Sequence, residues 1–304
     1  MTSSKIIRTV LIILINAIGR CVKNRPLESK KRHGGYILVL WPLLGLFAGL
    51  FYGLPANAWS QDPHRLICEI AWLELAPPQR KQLAERVKAS GHSRFNDSCV
   101  WADKVRQVPR YRFSGPLHYM NVPRGNARLG ASAECDDCIL EALREMRKIA
   151  VGTPSKRYQT TQAEALLMLA HLLGDLHQPL HVGFADDKGG NAINLSVNGK
   201  PWSLHGLWDN ALPRRVTGRN WQVTARRWQA EITDEQRQHW SAGNETRWAE
   251  ESFQLTREIY TRLPENGRVD DSWLNQYNDP VREQLLKAAV RLGVELKALL
   301  GHGQ

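Results

Sequence analysis

His171 and Asp175 stand four residues apart in the run Ala170-His-Leu-Leu-Gly-Asp-Leu-His-Gln-Pro-Leu-His-Val182. At helical pitch that spacing places both side chains on one face, one turn apart. The same pairing recurs at His205 and Asp209 in Ser203-Leu-His-Gly-Leu-Trp-Asp209, and His181 lies just past the turn at Pro179. An imidazole and a carboxylate presented together suit zinc, which takes nitrogen and oxygen ligands at about 2.0–2.2 Å. One such pair alone is more often a surface or capping interaction. Two pairs joined by a further histidine, in apolar and glycine-rich surroundings, are costly to bury unless paired or metal-bound. Upstream lie His64, Asp103 in Trp101-Ala-Asp-Lys-Val-Arg106, and His118 in Pro116-Leu-His-Tyr-Met-Asn-Val-Pro123. Taken singly, each of these reads as structural; Asp103 and Arg106 suit a plain i, i+3 helix ion pair.

The elements that must carry these residues are mostly helical. Pro63 near the first turn opens a helix through Trp72, and Pro77 to Ala89 gives another. Residues 136–150 place Ile139, Leu140, Leu143, Met146 and Ile149 near a helical period. Thr160 or Thr161 caps a long apolar helix, Gln162 to Leu176, and residues 244–263 and 280–300 read as two more amphipathic helices. One β feature stands out: Ile193 to Val197, the turn Asn198-Gly199, then Lys200 to Leu204, a hairpin with a type I′ signal. Pro201 makes the second arm an edge strand. The expected fold is all-α, a single mainly helical domain over 59–304 with a small β-hairpin insertion.

Residues 1–58 read as a leader. The basic cluster Ser29-Lys-Lys-Arg-His33 precedes an apolar run, Tyr36 to Leu54, and Pro55-Ala-Asn-Ala58 offers an A-x-A cleavage site. The expectation is export to the periplasm or outside the cell, with cleavage after Ala58; retention as an anchor is the alternative. The chain carries 41 Lys and Arg against 30 Asp and Glu. Residues 1–58 hold eight of those bases and one acid, which leaves 33 against 29. That modest surplus does not indicate a protein that coats nucleic acid.

Four cysteines remain beyond the leader: Cys68, Cys99, Cys135 and Cys138. In an exported chain an even number suggests two disulfides, with three possible connectivities. Cys135-Asp-Asp-Cys138 can close a small local loop, which would leave Cys68 for Cys99. A zinc ribbon would need a second ligand pair at matching spacing, and a thioredoxin-like motif would need a βαβ context; neither is present.

Together these residues resemble the zinc-dependent nuclease family typified by the fungal nucleases S-one and P-one, whose fold is shared with bacterial zinc phospholipases C. The resemblance rests on G-D-L-H-Q-P-L-H with H-x-x-x-D on both sides of Gly189-Gly-Asn191, on Trp248-Ala-Glu-Glu-Ser252, and on the run from Trp59 to the C-terminal helix. It implies three zinc ions. One would be held by Asp103, His118, His171 and Asp175. A second would be held by His64, Asp175 and the freed amine and carbonyl of Trp59. A third would be held by His181, His205 and Asp209. His177 is not a ligand on this resemblance and reads as packing.

The resemblance further implies hydrolysis of single-stranded DNA and RNA to 5′-phosphate products, with 3′-nucleotidase activity common in the family. Asp103 would orient the attacking water and Arg106 would stabilise the phosphate. Tyr119 would stack a base, with Asn121 and Asn191 at the base edge; the family often has Asp where this chain has Asn121. Nucleic acid and nucleotides are the only partners implied, and a monomer is the default. Two alternatives remain open. A phospholipase C shares the metal-binding core but typically ends it with Glu where this chain has Asp209. The other is a non-catalytic zinc-binding envelope protein.

Overall fold

The computed structural model describes residues 59–301. The leader, its cleavage site and His302 lie outside the described residues. The architecture is mainly helical. Among the described residues, no helix is long and apolar enough to cross a membrane.

The fold is organised around the Gln162–Leu176 helix. Thr161 accepts from the Glu164 N–H, and the Glu164 carboxylate accepts from the Thr161 N–H, a reciprocal cap. Such a cap stabilises a helix by about 1 kcal/mol. From Ala165 to Leu176 every residue is buried. A helix buried on all sides must be apolar all round, so a polar side chain on it needs a specific partner. The Ile139–Ala150 helix packs along it, and the long Asn278–Gly301 helix packs on Gln61–Leu73. The Trp221–Glu231 helix covers another side of Gln61–Leu73.

Pro77–Ala89 forms the helix expected of it, and Thr161, not Thr160, is the cap. The hairpin pairs β3 (Asn194–Val197) with β4 (Lys200–Ser203), and Asn198 and Gly199 both take positive φ, as the turn requires. Pro201 lies on the edge strand. The β content exceeds the expected hairpin. A two-residue strand, β5 (Arg268–Val269), joins β3 in parallel, and β1 (Met120–Val122) pairs in parallel with β2 (Val182–Phe184). These strands are too short to show a periodic pattern, so the sequence carries no signal for them.

Two disulfides are formed, Cys68–Cys99 and Cys135–Cys138. The first fastens the Gln61–Leu73 helix to the chain just ahead of the Trp101–Val105 helix. His64 is on the former and Asp103 on the latter.

Candidate metal centre

The histidines and aspartates singled out by spacing converge in three groups. His64, His171 and Asp175 form one, Asp103, His118 and His171 another, and His181, His205 and Asp209 the third. Within each group one candidate ligand atom per residue lies within 4.8 Å of the others. Asp175 is central. Its Oδ1 is 3.1 Å from His64 Nε2, and its Oδ2 is 2.8 Å from His118 Nδ1 and 3.2 Å from His171 Nε2. Asp103 Oδ1 stands 3.8 Å from His171 Nε2 and 3.9 Å from His118 Nδ1. In the third group His205 Nε2 is 3.5 Å from Asp209 Oδ2, and the His181 and His205 ring centroids are 5.0 Å apart.

Backbone carbonyls hold the far side of three rings. Nδ1 of His171 is 2.7 Å from the Cys99 carbonyl, that of His181 is 2.6 Å from the His118 carbonyl, and that of His205 is 2.7 Å from the Gly189 carbonyl. A carbonyl only accepts, so each Nδ1 carries a hydrogen, and each ring when neutral presents its Nε2 lone pair inward. Gln178 supports the third group: its Nε2 donates to Asp209 Oδ1 at 2.6 Å.

Two glycines make room for these rings. A Cβ on Gly174 would meet His64 Nδ1 at 2.9 Å, so glycine lets that imidazole lie against the central helix. Gly189 has φ +61°, and a Cβ there would collide with the Leu180 carbonyl oxygen.

The inward-facing atoms fit a metal. Nε2 of His64, His171 and His181, Oδ1 of Asp103 and Asp175, and Oδ2 of Asp209 are buried without a hydrogen-bond partner among the described residues. Buried polar atoms are rarely left so, and an ordered ion is one explanation that satisfies all of them together. The electrostatics agree. Burial, then His171, pushes His64 down to about 4, and burial and His181 push His205 down to about 3. Burial also lowers His181 and raises Asp209 well above the usual carboxylate range. At His171 burial is outweighed by Asp175 and Asp103, which lift it to about 9. Asp175 is held well below the ordinary range by His171 and its other histidine neighbours, against its burial. Divalent cations favour carboxylates and neutral imidazoles, so they would remove these conflicts.

Trp59 is fully buried beside the cluster. Its indole N–H donates to the Gly174 carbonyl at 3.0 Å, and the next N–H, that of Ser60, donates to the Asp209 carbonyl at 2.8 Å. The Trp59 backbone is thereby held between residues adjoining two of the groups.

Tyr119 follows His118 and is 41% exposed. Asn121 is exposed on β1, opposite Gly183 of β2. Asn191 is half-buried, and its amide nitrogen donates to the Lys188 carbonyl at 2.8 Å, which leaves its oxygen and its second N–H for a ligand. Arg106 Nη1 is 3.6 Å from Asp103 Oδ1. The i, i+3 ion pair and a place beside the cluster are therefore both realised.

His177 is buried away from these groups. Its Nδ1 donates to the Leu173 carbonyl at 2.7 Å, and its Nε2 accepts from Arg291 at 2.7 Å. Arg291 is 1% exposed; it also donates to Glu251 and to the Trp240 carbonyl, and lies over the Trp248 ring. Ser252 donates to the Leu176 carbonyl at 2.6 Å. The Trp248-Ala-Glu-Glu-Ser252 motif thus braces the end of the central helix. Sequence reasoning passed over Arg291 and Gln178. An arginine in an amphipathic helix carries no mark of burial, whereas Gln178 lies within the motif itself.

The described chain is a mainly helical protein built around three groups of histidine and aspartate side chains that could hold metal. A model of the family described as S1/P1 nuclease matches residues 59–301, and the chain belongs to that family. Endonuclease 2 of Arabidopsis thaliana is 27% identical over 284 residues, 83% of this chain and 94% of the relative. Endonuclease 1 of the same plant is 34% identical over 171 residues, 51% of this chain and 54% of the relative. Nuclease P1 of Penicillium citrinum is 27% identical over 176 residues, 56% of this chain and 64% of the relative. The chain therefore spans about half the length of Endonuclease 1 and most of Endonuclease 2.

Proposed function

We propose that this chain is an exported zinc-dependent endonuclease that hydrolyses single-stranded DNA and RNA to 5′-phosphate products. The observation that carries the reading is the set of buried, unpartnered ligand atoms converging in three groups. Zinc would be held by Asp103, His118, His171 and Asp175; by His64, Asp175 and Trp59; and by His181, His205 and Asp209. When bound, zinc lowers the pKa of water and neutralises charge on a phosphate. Trp59 can contribute an amine only once the leader has been removed after Ala58, so processing would complete the second site.

The chain's own residues divide the remaining work. Asp103 is the least buried of the three carboxylates, with its side chain 15% exposed, and it would orient the attacking water. Water adds its oxygen to phosphorus as the bond to O3′ breaks, and the water proton ends on the departing O3′. Arg106 would donate to the phosphate oxygens as negative charge gathers there. Tyr119 would stack a base, with Asn121 and Asn191 at its edge. Stacking is tolerant of base identity and needs an unpaired base, which favours single strands. The same site would accept a terminal 3′-phosphate, giving 3′-nucleotidase activity.

The test uses protein purified from an export-competent host. N-terminal sequencing and metal analysis come first, followed by digestion of single-stranded and duplex DNA with end-group analysis. Three zinc per chain, an N-terminal Trp59 and 5′-phosphorylated fragments from single strands support the reading. Zinc-loaded protein that leaves polynucleotides intact overturns it.

A further inference from the structure

We propose that Arg124 is a positioning residue that ties together the two segments forming the nucleobase wall. The inference rests on the base-binding role proposed above for Tyr119, Asn121 and Asn191. Two of these residues lie on or just before β1, and the third lies in the loop after β2. The strands themselves share only three paired positions, ending at Val122 with Phe184. Beyond that point the backbone no longer joins the two segments. Arg124, two residues past β1, takes over. Its guanidinium donates to both carboxylate oxygens of Asp186, with Nη2 2.9 Å from Oδ1, and Nη2 also donates to Asp187. It lies 4.4 Å from the Phe184 ring centroid and 5.2 Å from that of Tyr260. A planar fork engaging two carboxylates while stacked on an aromatic ring fixes orientation as well as distance, which lysine cannot reproduce.

Asp187 extends the tie to the base-edge residue. Its Oδ1 accepts from the Gly190 N–H at 2.7 Å, immediately before Asn191, and its Oδ2 accepts from the Tyr260 hydroxyl at 2.7 Å. That Oδ2 is also the oxygen that accepts from Arg124. The Gly189–Gly190 turn that orients His205 is also held by backbone bonds, from the Gly189 N–H to the Phe184 carbonyl at 2.9 Å and from the His205 N–H to the Gly190 carbonyl at 3.3 Å, so loss of Arg124 should loosen the wall without emptying the metal groups. Arg124 itself is partly exposed, 45% accessible, while its partner Asp187 is buried and, without Arg124, keeps the Tyr260 hydroxyl and the Gly190 N–H as donors.

The experiment compares wild type, Arg124→Ala and Arg124→Lys on three readouts. The first is steady-state cleavage of a single-stranded oligonucleotide and of a base-free aryl phosphodiester. The second is calorimetric binding of a nucleoside 5′-monophosphate. The third is zinc content. For the alanine variant, KM for the oligonucleotide and Kd for the nucleotide should each rise about tenfold, in line with loss of a bidentate charged contact that orders the wall. Hydrolysis of the base-free diester and zinc content should stay within about twofold, since neither uses the wall. The lysine variant should recover less than half of the lost affinity. Equal effects on both substrates, no effect on either, or full recovery by lysine would each overturn the tie; full recovery would assign Arg124 to long-range attraction of phosphate. Wild type that cuts the aryl diester but no oligonucleotide would refute the nuclease reading instead, a result independent of the variants.

Discussion

The indole N–H of Trp59 donates to the carbonyl of Gly174 at 3.0 Å, one residue before Asp175. The first residue expected after leader removal is thus anchored to the helix that carries the most connected carboxylate of the cluster. Replacing Trp59 with Phe keeps most of the buried ring and removes one of the two donors to that carbonyl, which still accepts from the His177 N–H at 3.1 Å. Loss of one such bond costs about 0.5–1.5 kcal/mol. Thermal unfolding of Trp59→Phe should therefore begin several degrees below wild type. Adding one residue ahead of Trp59 preserves the indole bond and removes the free amine at that position. This form should bind one zinc less tightly while unfolding close to wild type without metal. Equal zinc affinity in the two forms would rule out an amine ligand.

Asp175 touches three histidines within 3.2 Å, more than any other carboxylate of the cluster. Asp175→Asn keeps the shape and removes the charge. Changes in residues that merely support ligands cost about 10–100-fold in metal affinity or activity. A shared ligand should cost more, so activity should fall by more than about a hundredfold and more than one zinc per chain should be lost on dialysis. Loss of a single zinc would show that Asp175 serves one group only.

Gly174 sets a sharper test of how the site is fitted to the fold. Alanine is a better helix former than glycine by about 1 kcal/mol, so an open position would gain stability. Here the added methyl would lie 2.9 Å from His64 Nδ1. Overpacking of a dense core costs about 1–3 kcal/mol, enough to cancel or reverse the gain. Gly174→Ala should weaken one zinc site by about 10–100-fold in a chelator titration, by moving His64 away from Asp175. In a His64→Ala background the same change should stabilise the metal-free protein. If Gly174→Ala costs the same in both backgrounds, the pressure falls elsewhere than on His64.

Much of this arrangement was legible before any coordinates. The central helix is legible in its apolar run and a cap at Thr160 or Thr161, of which the structure selects Thr161, and the hairpin in Asn198-Gly199, because caps and tight turns are local chemistry. The ligand candidates were legible for a different reason. Histidine and aspartate on an apolar helix are so costly that their spacing carries information even without a structure. The rest depended on tertiary contact. Pairing of β1 with β2 joins residues about sixty apart through three positions, and nothing in either segment alone reports it. The carbonyls of Cys99, His118 and Gly189 orient three rings, and backbone acceptors are invisible to residue type. Arg291 shows the converse. On an amphipathic helix an arginine reads as a solvent-facing residue, yet Trp248 and Glu251 of the Trp248–Ser252 motif enclose this one.

His177 links that enclosed arginine to pH. Burial, reinforced by the Arg291 charge, holds its pKa well below the ordinary 6.5. The folded protein therefore keeps this imidazole neutral where the unfolded chain takes up a proton. Its contribution to stability is present above pH 6.5 and is lost as pH falls below that value. Below pH 6.5 the unfolded state binds up to one proton more from this group alone, a slope of about 1.4 kcal/mol per pH unit at most. His177→Gln removes the titrating group and can still accept from Arg291 through its amide oxygen. In urea unfolding of the metal-free protein, wild type should lose stability more steeply than the variant between pH 6.5 and 5.5, while the two run parallel above pH 7.5. Zinc-loaded protein is the wrong material for this comparison, because proton competition at the metal ligands adds its own acid sensitivity. Parallel curves through the acid range would mean that burial and Arg291 together do not hold His177 neutral, and that the contact at 2.7 Å opens readily in solution.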